Sequence, residues 1–496
     1  MIIRFLAIIK APPENSQFSC AVIPPHLPGG TEAGYILMNP IQGKDLSSTR
    51  CNMDKITQWL AEHSISEVEC LVPDMSGNAR GKFTPTDKFL TQDSRLPESI
   101  LVQTVTGDYV DEHNELVDPA DTDMLLEPDP GTIRLNPWAN EPTAQIIHDC
   151  YTRDGKRHPI ATRNILRFVL DKYAEQGWQP VVAPEVEFYL VKRNLDPDEK
   201  LSAPVGRSGR TEKTRQSYSI DAANEYEAII EDMYDFCEAQ GLDVDTLIHE
   251  SGTAQMEINF LHGDPLNLAD QVFTFKRTVR ETALRHGIYA TFMAKPMEDE
   301  PGSALHLHQS VLDIKTGKNI FVDDDGNETD LFMHFIGGTQ EFTPGFITFF
   351  APNVNSYRRF TPEMAAPTSL HWGYENRTTG LRVPDSAPQA KRLENRFPGA
   401  DCNPYLAIAA SLACGYLGMM KKVKPSEPYQ GSCASEPITL PRTQEHALNL
   451  LAECPEAKEM FGEKFVRAWA AIKRDEYEEF NRVISSWERE YLLLNV

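Results

Sequence analysis

Four short segments, far apart in the chain, set charged or imidazole side chains two residues apart within apolar, strand-like text. They are Pro184-Glu-Val-Glu-Phe188, the run His249 to Phe260, Pro301-Gly-Ser-Ala-Leu-His-Leu-His-Gln-Ser310, and Arg392-Leu-Glu-Asn-Arg396. Strand side chains alternate faces, so residues i and i+2 point the same way and can converge on one ion. Glu185 and Glu187 share such a face. Two buried carboxylates repel unless a cation or a proton intervenes; the alternative is a solvated sheet edge. Glu250 and Glu257 lie on two strand-like pieces joined by Ser251-Gly252, and either converge or are ordinary exposed acids of a hairpin. His306 and His308 share one face and Leu305 and Leu307 the other. That spacing suits a metal or a phosphate, while a satisfied core histidine is the commoner fate of either alone. Gly302 and Ser303, just before, suit a backbone that passes close to a ligand.

The region Tyr357 to Asn403 is dense in arginine: Arg358, Arg359, Arg377, Arg382, Arg392 and Arg396, with Glu394 sharing a strand face with Arg396. Guanidinium forks match carboxylate and phosphoryl oxygens and keep their charge when buried. In an acidic chain such a cluster points to an anionic substrate, the alternative being pairing with the protein's own acids. The carboxylates Glu185, Glu187, Glu250, Glu257 and Glu394 with His306 form an oxygen-and-imidazole set that suits Mg²⁺ or Mn²⁺, without thiolates to favour zinc. Metal ions and arginines together are what phosphoryl transfer requires, since its barrier falls through positioning and charge neutralisation. There is neither a G-x-x-x-x-G-K-[ST] loop nor a G-x-G-x-x-G turn, so nucleotide binding would need another scaffold.

The elements that must hold these residues are legible in outline. The chain has 496 residues, 41% apolar and 24% charged, enough for a large core and, at roughly 150 residues per domain, two to four domains. Residues 1–52 read as a Pro-, Gly- and Ser-rich extension without a period. From Met53 a helix with Ile56, Trp59 and Leu60 on one face, then the apolar strand Val68 to Val72, opens a small α+β unit over 53–150, closing near Glu127-Pro-Asp-Pro-Gly131. Residues 151–496 alternate helix and strand. Thr162 is placed to cap a helix carrying Ile165, Leu166, Val169 and Leu170, which Gly177 ends before a strand from Val181 to Val191. The polar tract Asn194 to Ser217 reads as a surface loop. Helices are expected over Ala222 to Ala239 and Leu268 to Arg285, strands near Leu247 to Phe260 and Tyr289 to Ala294, and a helical tail from Gln444 to Leu494.

Lysine and arginine number 48 against 73 acids, a net charge of −25 that repels nucleic-acid backbones and anionic membranes. The apolar run Met1 to Ile9 is too short to span a bilayer, and no small-residue cleavage site follows it closely. The nine cysteines are scattered, with no C-x-x-C pair, the usage of reduced thiols in a cytoplasm.

At these residues the sequence resembles the glutamine synthetase family over roughly 53–496. The likeness rests on Pro-Glu-Val-Glu-Phe, Gln-Met-Glu-Ile-Asn, Gly-Ser-Ala-Leu-His-Leu-His, Asn376-Arg377 through Leu381-Arg-Val-Pro384, and Leu393-Glu-Asn-Arg-Phe-Pro398 followed by Asn403-Pro-Tyr-Leu, in that order and spacing. The resemblance implies an α+β chain with a small β-grasp-like N-terminal domain and a large catalytic domain, built on a curved antiparallel sheet with flanking helices. It implies a ligase that activates the γ-carboxylate of glutamate with ATP as a γ-glutamyl phosphate, which an amine then attacks. Glu187, Glu250 and Glu257 would hold one metal ion, and Glu185, His306 and Glu394 a second, with two or three ions per site. His308 would lie near the nucleotide phosphates, with Arg382 and Arg392 on the nucleotide side. Gly302, Arg359 and Arg396 would hold glutamate; Arg377 and Arg382 would neutralise the phosphoryl group. The site would lie between subunits of a homo-oligomer, two hexameric rings stacked to a dodecamer.

The departures from the family bear on the amine. The glutamate that takes a proton from ammonium in glutamine synthetases is replaced here by Ala365, in Tyr357-Arg-Arg-Phe-Thr-Pro-Glu-Met-Ala-Ala-Pro367. The Asp-Gly-Ser-Ser loop is absent, with Val105-Thr-Gly-Asp-Tyr109 in its place. A small ammonium ion loses its charge partners, and the vacated volume admits a larger amine. Asn353 to Phe360, Trp372-Gly373, Gly399 to Pro404 and Asp74 to Lys82 read like the branch of the family that joins glutamate to polyamines in their catabolism. Putrescine, spermidine or spermine is therefore the expected nucleophile, with Asp108, Glu363 or Trp372 contacting its distal ammonium; each could equally be a solvated acid or a packed indole. The rivals are a glutamine synthetase using ammonia, a ligase for another amine such as ethanolamine, and a relative that keeps the fold without catalysis.

Overall fold

The computed structural model describes residues 46–362 and 366–496, with Leu46 to Arg50 described as helical backbone only. A helix spans Leu46–Glu62, so the last part of the expected irregular extension over 1–52 is already helical, and the rest lies outside the described residues. Ile56 and Leu60 bury one face of this helix against Val68, Cys70, Phe89, Ala144 and Ile146. Because these positions recur every three to four residues, one stripe of the helix faces the sheet.

Two sheets organise the chain. The first comprises β1 (Glu67–Pro73), β2 (Ala79–Pro85), β3 (Ser94–Pro97), β4 (Asp123–Pro128), β5 (Arg134–Leu135) and β6 (Thr143–Tyr151) in the order β2-β1-β6-β4-β3, with β5 also on β6. β1 and β6 are parallel and the other pairs antiparallel. The Asp74 to Lys82 stretch is the β1–β2 turn and the start of β2, which the Asp74 carboxylate ties together by accepting from Asn78 N and Arg80 Nε, both at 2.8 Å.

The second sheet comprises β7 (Trp178–Val191), β8 (Val244–His249), β9 (Gln255–Phe260), β10 (Tyr289–Thr291), β11 (Leu305–Asp313), β12 (Trp372–Tyr374), β13 (Leu381–Val383) and β14 (Leu393–Asn395). Its order is β12-β13-β14-β11-β7-β9-β8, with β10 also on β7. All its pairs are antiparallel except β12–β13 at one edge, so the expected antiparallel sheet is in fact mixed. Helices Thr162–Glu175, Pro265–Arg285, Asp330–Phe350 and Pro404–Lys421 flank it and bury one continuous apolar core with it.

Two local expectations are corrected. Thr162 does not cap its helix; Ala161 precedes the first turn without a side-chain bond, and the Thr162 hydroxyl donates to Pro73 O at 3.2 Å, tying helix to β1. The Ala222 to Ala239 helix is two helices, Ile220–Asn224 and Glu227–Ala239. Gly177, at φ +76°, does end its helix, in a conformation that L side chains rarely adopt.

His148, buried on β6, gives the fold a measurable acid sensitivity. Burial pushes its imidazole down to about 4, against the pull of the Ile146 carbonyl, to which Nδ1 donates. The unfolded chain takes up this proton below about 6.5 while the native state refuses it until about 4, so the stability present above 6.5 is lost as pH falls through that window. Urea unfolding at about pH 7.5 and pH 5 is expected to show the wild type losing about 2 kcal/mol more than His148→Gln. Equal losses would dismiss this histidine as the source.

Candidate active site

Register puts the chemistry on one face of the second sheet. Across β7–β9, Glu187 stands directly opposite Glu257; across β7–β11, Glu185 stands opposite His306; across β11–β14, His308 stands opposite Glu394; and across β13–β14, Arg382 stands opposite Glu394. Directly opposed residues of antiparallel strands share a face, so four strand pairs build one row of acids, imidazoles and guanidinium groups. His308 Nε2 lies 2.9 Å from Glu185 Oε1, and His306 Nδ1 lies 3.4 Å from Glu185 Oε2 and 4.0 Å from Glu394 Oε1. Two sets hold their ligand atoms within 4.8 Å of one another: Glu185, His308 and Glu394, and Glu185, Glu257 and His306. His308, expected beside nucleotide phosphates, thus also belongs to a potential metal set.

Like charges opposite one another in a sheet destabilise it, and here the electrostatic cost is visible. Burial, with Glu187, Glu185 and Glu250 nearby, pushes the Glu257 carboxyl up to about 10. Burial and Glu250 push Glu187 up to about 7, against the pull of Arg359. Burial works on Glu185 and Glu394 too. There His306 and His308 hold Glu185 well below the usual carboxylate range, and Arg396 with the two histidines brings Glu394 down to about 2. Burial and the Arg396 charge push His306 down to about 4, leaving a neutral ring with a free lone pair. Neutral imidazole and crowded carboxylates are the donor types that hard divalent cations take. Glu187 and Glu257 fit such an ion: they are buried acids held above the ordinary carboxylate range, with no salt-bridge partner among the described residues.

The arginines divide. Arg382 reaches Glu394 Oε2 at 2.8 Å and Glu375 at 3.2 Å, and Arg396 donates to Glu394 Oε1. The Nε atoms of both are buried donors without a partner among the described residues. Arg359 is instead committed to the backbone, donating to Phe397 O at 2.7 Å and Arg396 O at 2.9 Å. Gly302 is required by that arginine: a Cβ there would lie 2.7 Å from Arg359 Cγ and 2.6 Å from Ala294 O. Arg377 is exposed on the turn after β12, apart from the row. Arg392 Nε donates to His308 Nδ1 at 3.2 Å.

A cavity of about 470 Å³ opens beside Glu185 and His308, lined further by Val181, Asn259, His262, Ser310, Gln389 and Arg392. Of these the sequence reading found only Arg392, although Ser310 continues the His306–His308 face by one further i+2 step. Gln255 was also missed, yet it precedes Glu257 by two residues; its amide donates to Glu187 Oε2 at 3.2 Å and Gly302 O at 3.0 Å, linking the acids to the glycine.

Of the expected amine-facing residues, Trp372 and Asp108 are committed elsewhere. Trp372 is 2% exposed, its N–H donating to Ser426 O at 2.8 Å, so its ring is a packed core indole. Asp108 lies on an exposed loop after β3, where its carboxylate accepts from the Thr106 hydroxyl at 3.0 Å. Glu363 and Ala365 lie outside the described residues.

An α+β chain whose sheet face carries acids, imidazoles and arginines in this register is of one recognisable class, and the glutamine synthetase catalytic domain matches residues 159–492. The chain belongs to the glutamine synthetase family. It is 33% identical over 436 residues to the γ-glutamylputrescine synthetase PuuA of Escherichia coli K12, covering 86% of this chain and 92% of that one. It is 31% identical over 446 residues to a glutamate–isopropylamine ligase of a Pseudomonas species, covering 88% and 96%. A solved structure of GmaS without ligand superposes with a TM-score of 0.76 at 27% identity, covering 88% of this chain and 98% of that one. Among the described residues no helix is long and apolar enough to cross a membrane.

Proposed function

We propose that this chain joins the γ-carboxylate of glutamate to a primary amine of a polyamine, cleaving ATP to ADP and phosphate. The observation that carries the proposal is the register-built row of acids and imidazoles flanked by two arginines with unused buried donors. The γ-carboxylate attacks the terminal phosphorus of ATP and ADP leaves; the deprotonated amine then attacks the acyl carbon, and phosphate leaves with the bonding electrons. Glu187, Glu250 and Glu257, and Glu185, His306 and Glu394, are the residues to hold divalent ions, with His308 available to the second set. When bound, Mg²⁺ or Mn²⁺ supplies charge neutralisation at the phosphoryl oxygens. Arg382 and Arg396 offer their free Nε donors to a phosphoryl or carboxylate oxygen, and the cavity beside His308 and Arg392 is large enough for a nucleoside. Arg377, exposed on its turn, would have to swing inward to reach the same group. Arg359 and Gly302 serve the glutamate subsite indirectly, by fixing the backbone of Arg396 and Phe397.

For the amine, support comes from the likeness to γ-glutamylputrescine synthetase together with Ala365 in place of an ammonium-holding acid; Asp108 and Glu363 remain the acids proposed to meet the distal ammonium. The isopropylamine ligase, at similar identity, favours a second reading in which the amine is not a polyamine. Phosphate release with ATP, Mg²⁺ and glutamate across ammonia, isopropylamine, ethanolamine, putrescine, spermidine and spermine decides. Putrescine or a longer polyamine is expected to exceed ammonia in kcat/KM by about tenfold or more, the scale that contacts to one additional group provide. Fastest turnover with ammonia or isopropylamine would sink the polyamine assignment.

We further propose a cytoplasmic homo-oligomer of stacked hexameric rings. Supporting it, the C-terminal segment exposes Trp487 at 60%, Leu493 at 74% and Leu494 at 90%, apolar side chains available to a subunit contact. The eight cysteines among the described residues are free thiols.

A further inference from the structure

The polar tract that reads as a surface loop sends one acid inward. Glu212 is almost wholly buried, its side chain 7% exposed, against the fully buried ring of His249. Its Oε2 lies 3.2 Å from His249 Nε2 and accepts from Ala254 N at 2.8 Å. The other ring nitrogen, Nδ1, donates to Glu250 O at 2.8 Å. Both neighbours of the ring are therefore oxygen acceptors, and the ring is fixed at two points. Ala254 adopts φ +55°, a left-handed conformation that costs a non-glycine residue about 1–2 kcal/mol and persists only where its surroundings impose it. Arg215 of the same tract pairs with Glu300, whose carboxylate accepts from Thr253 N at 3.4 Å, and Tyr218 N, just after the tract, donates to His249 O at 2.8 Å. The bonds to His249 fix the residue just before Glu250, and those to Ala254 N and Thr253 N fall on the turn that separates Glu250 from Glu257.

We infer that Glu212 is a positioning residue for the metal centre, holding the Glu250–Glu257 turn through the His249 ring and the Ala254 amide. This rests on the reading of Glu250 and Glu257 as metal ligands. Groups that orient ligands from behind change metal affinity by about 10–100-fold when removed. The test is calorimetric titration of MnCl₂ into the full-length, metal-stripped protein. Glu212→Gln is expected to weaken Mn²⁺ binding about tenfold or more with an unchanged circular dichroism spectrum. His249→Gln should give a similar loss, and the double variant no more than the larger single loss, because both act through one contact. Should Glu212→Gln fail to fold, Glu212→Asp, which keeps the charge but cannot reach both partners, is judged by the same criterion. Mn²⁺ affinity within twofold of wild type, or additive losses in the double variant, overturns the inference while leaving the metal centre standing. A wild type that binds no Mn²⁺ overturns both.

Discussion

Replacing Glu257 by Gln is expected to lower kcat by about 10³-fold or more while making the metal-free protein more stable, a pair of opposite signs that only a ligand-type acid produces. Glu257 is buried directly opposite Glu187, with Glu185, Glu250 and Glu394 also acting on it. In the metal-free protein these neighbours and burial hold its carboxyl up at about 10, against 4.5 for an ordinary glutamate. The native state therefore keeps a proton that the unfolded chain releases. Stability is full below about 4.5 and declines as pH rises through neutrality towards about 10. The amide has no such titration, so at pH 7 the metal-free variant should gain about 1–3 kcal/mol, read as a melting temperature a few degrees higher. Added Mn²⁺ should reverse the ranking: at about 100 times its dissociation constant it stabilises the wild type by about 2.7 kcal/mol, and the variant far less. Wild-type turnover, or an intact Mn²⁺-induced shift in the variant, would remove Glu257 from the centre.

The second large effect is on the fold. Arg163→Met is expected to cost about 3–5 kcal/mol, the usual result of leaving a buried charge unpaired. The Arg163 guanidinium is 3% exposed and donates to Asp270 Oδ1 at 2.9 Å and Oδ2 at 2.8 Å, to Asp129 at 2.7 Å, and to Asp149. It thereby ties helix Thr162–Glu175 to helix Pro265–Arg285 and to the ends of β4 and β6. Arg167 also reaches Asp149 at 2.8 Å and Asp129 at 3.3 Å, so those two acids keep a partner. Among the described residues, the Asp270 carboxylate keeps the Tyr405 hydroxyl, at 2.7 Å, as its hydrogen-bond donor. Most of the loss should therefore be recovered in Arg163→Met/Asp270→Asn, which removes both charges. Urea unfolding of the three variants checks this; a loss under about 1 kcal/mol in the single variant, or no recovery in the double, would refute the assignment.

The row of chemistry was readable in the sequence because strand alternation is local: Glu185 with Glu187, and His306 with His308, declare a shared face through their spacing alone. Which strands lie side by side is not local, and so the opposition of Glu187 to Glu257 and of His308 to Glu394 required the sheet order. The remaining gaps have the same origin. Glu212 sits in a tract whose Lys, Arg and Ser content signals solvent, and only its partner His249, 37 positions away, reveals that it turns inward. Arg359 is indistinguishable in sequence from an arginine that grips a substrate, and its engagement with the backbone of Arg396 and Phe397 is a tertiary fact. Trp372 is similar: an indole suits a cation or a core equally until Ser426 O is found on its N–H. Helix ends were legible where glycine enforced them, as at Gly177, and not where the first turn goes uncapped, as at Ala161.

β7 is hydrogen-bonded to β9, β10 and β11, and both of its glutamates lie in the stretch paired with β9, Glu185 also standing against β11. A shift of one position along it would carry Glu185 and Glu187 together to the opposite side of the sheet and bring Val186 and Phe188 round in their stead. Single replacements damage the centre piecemeal, whereas one inserted or deleted residue dismantles it entire. Length along this segment is thus under tighter physical constraint than identity at most of its positions, and change in what the protein accepts as nucleophile has room to arise only in the loops beyond the strand ends.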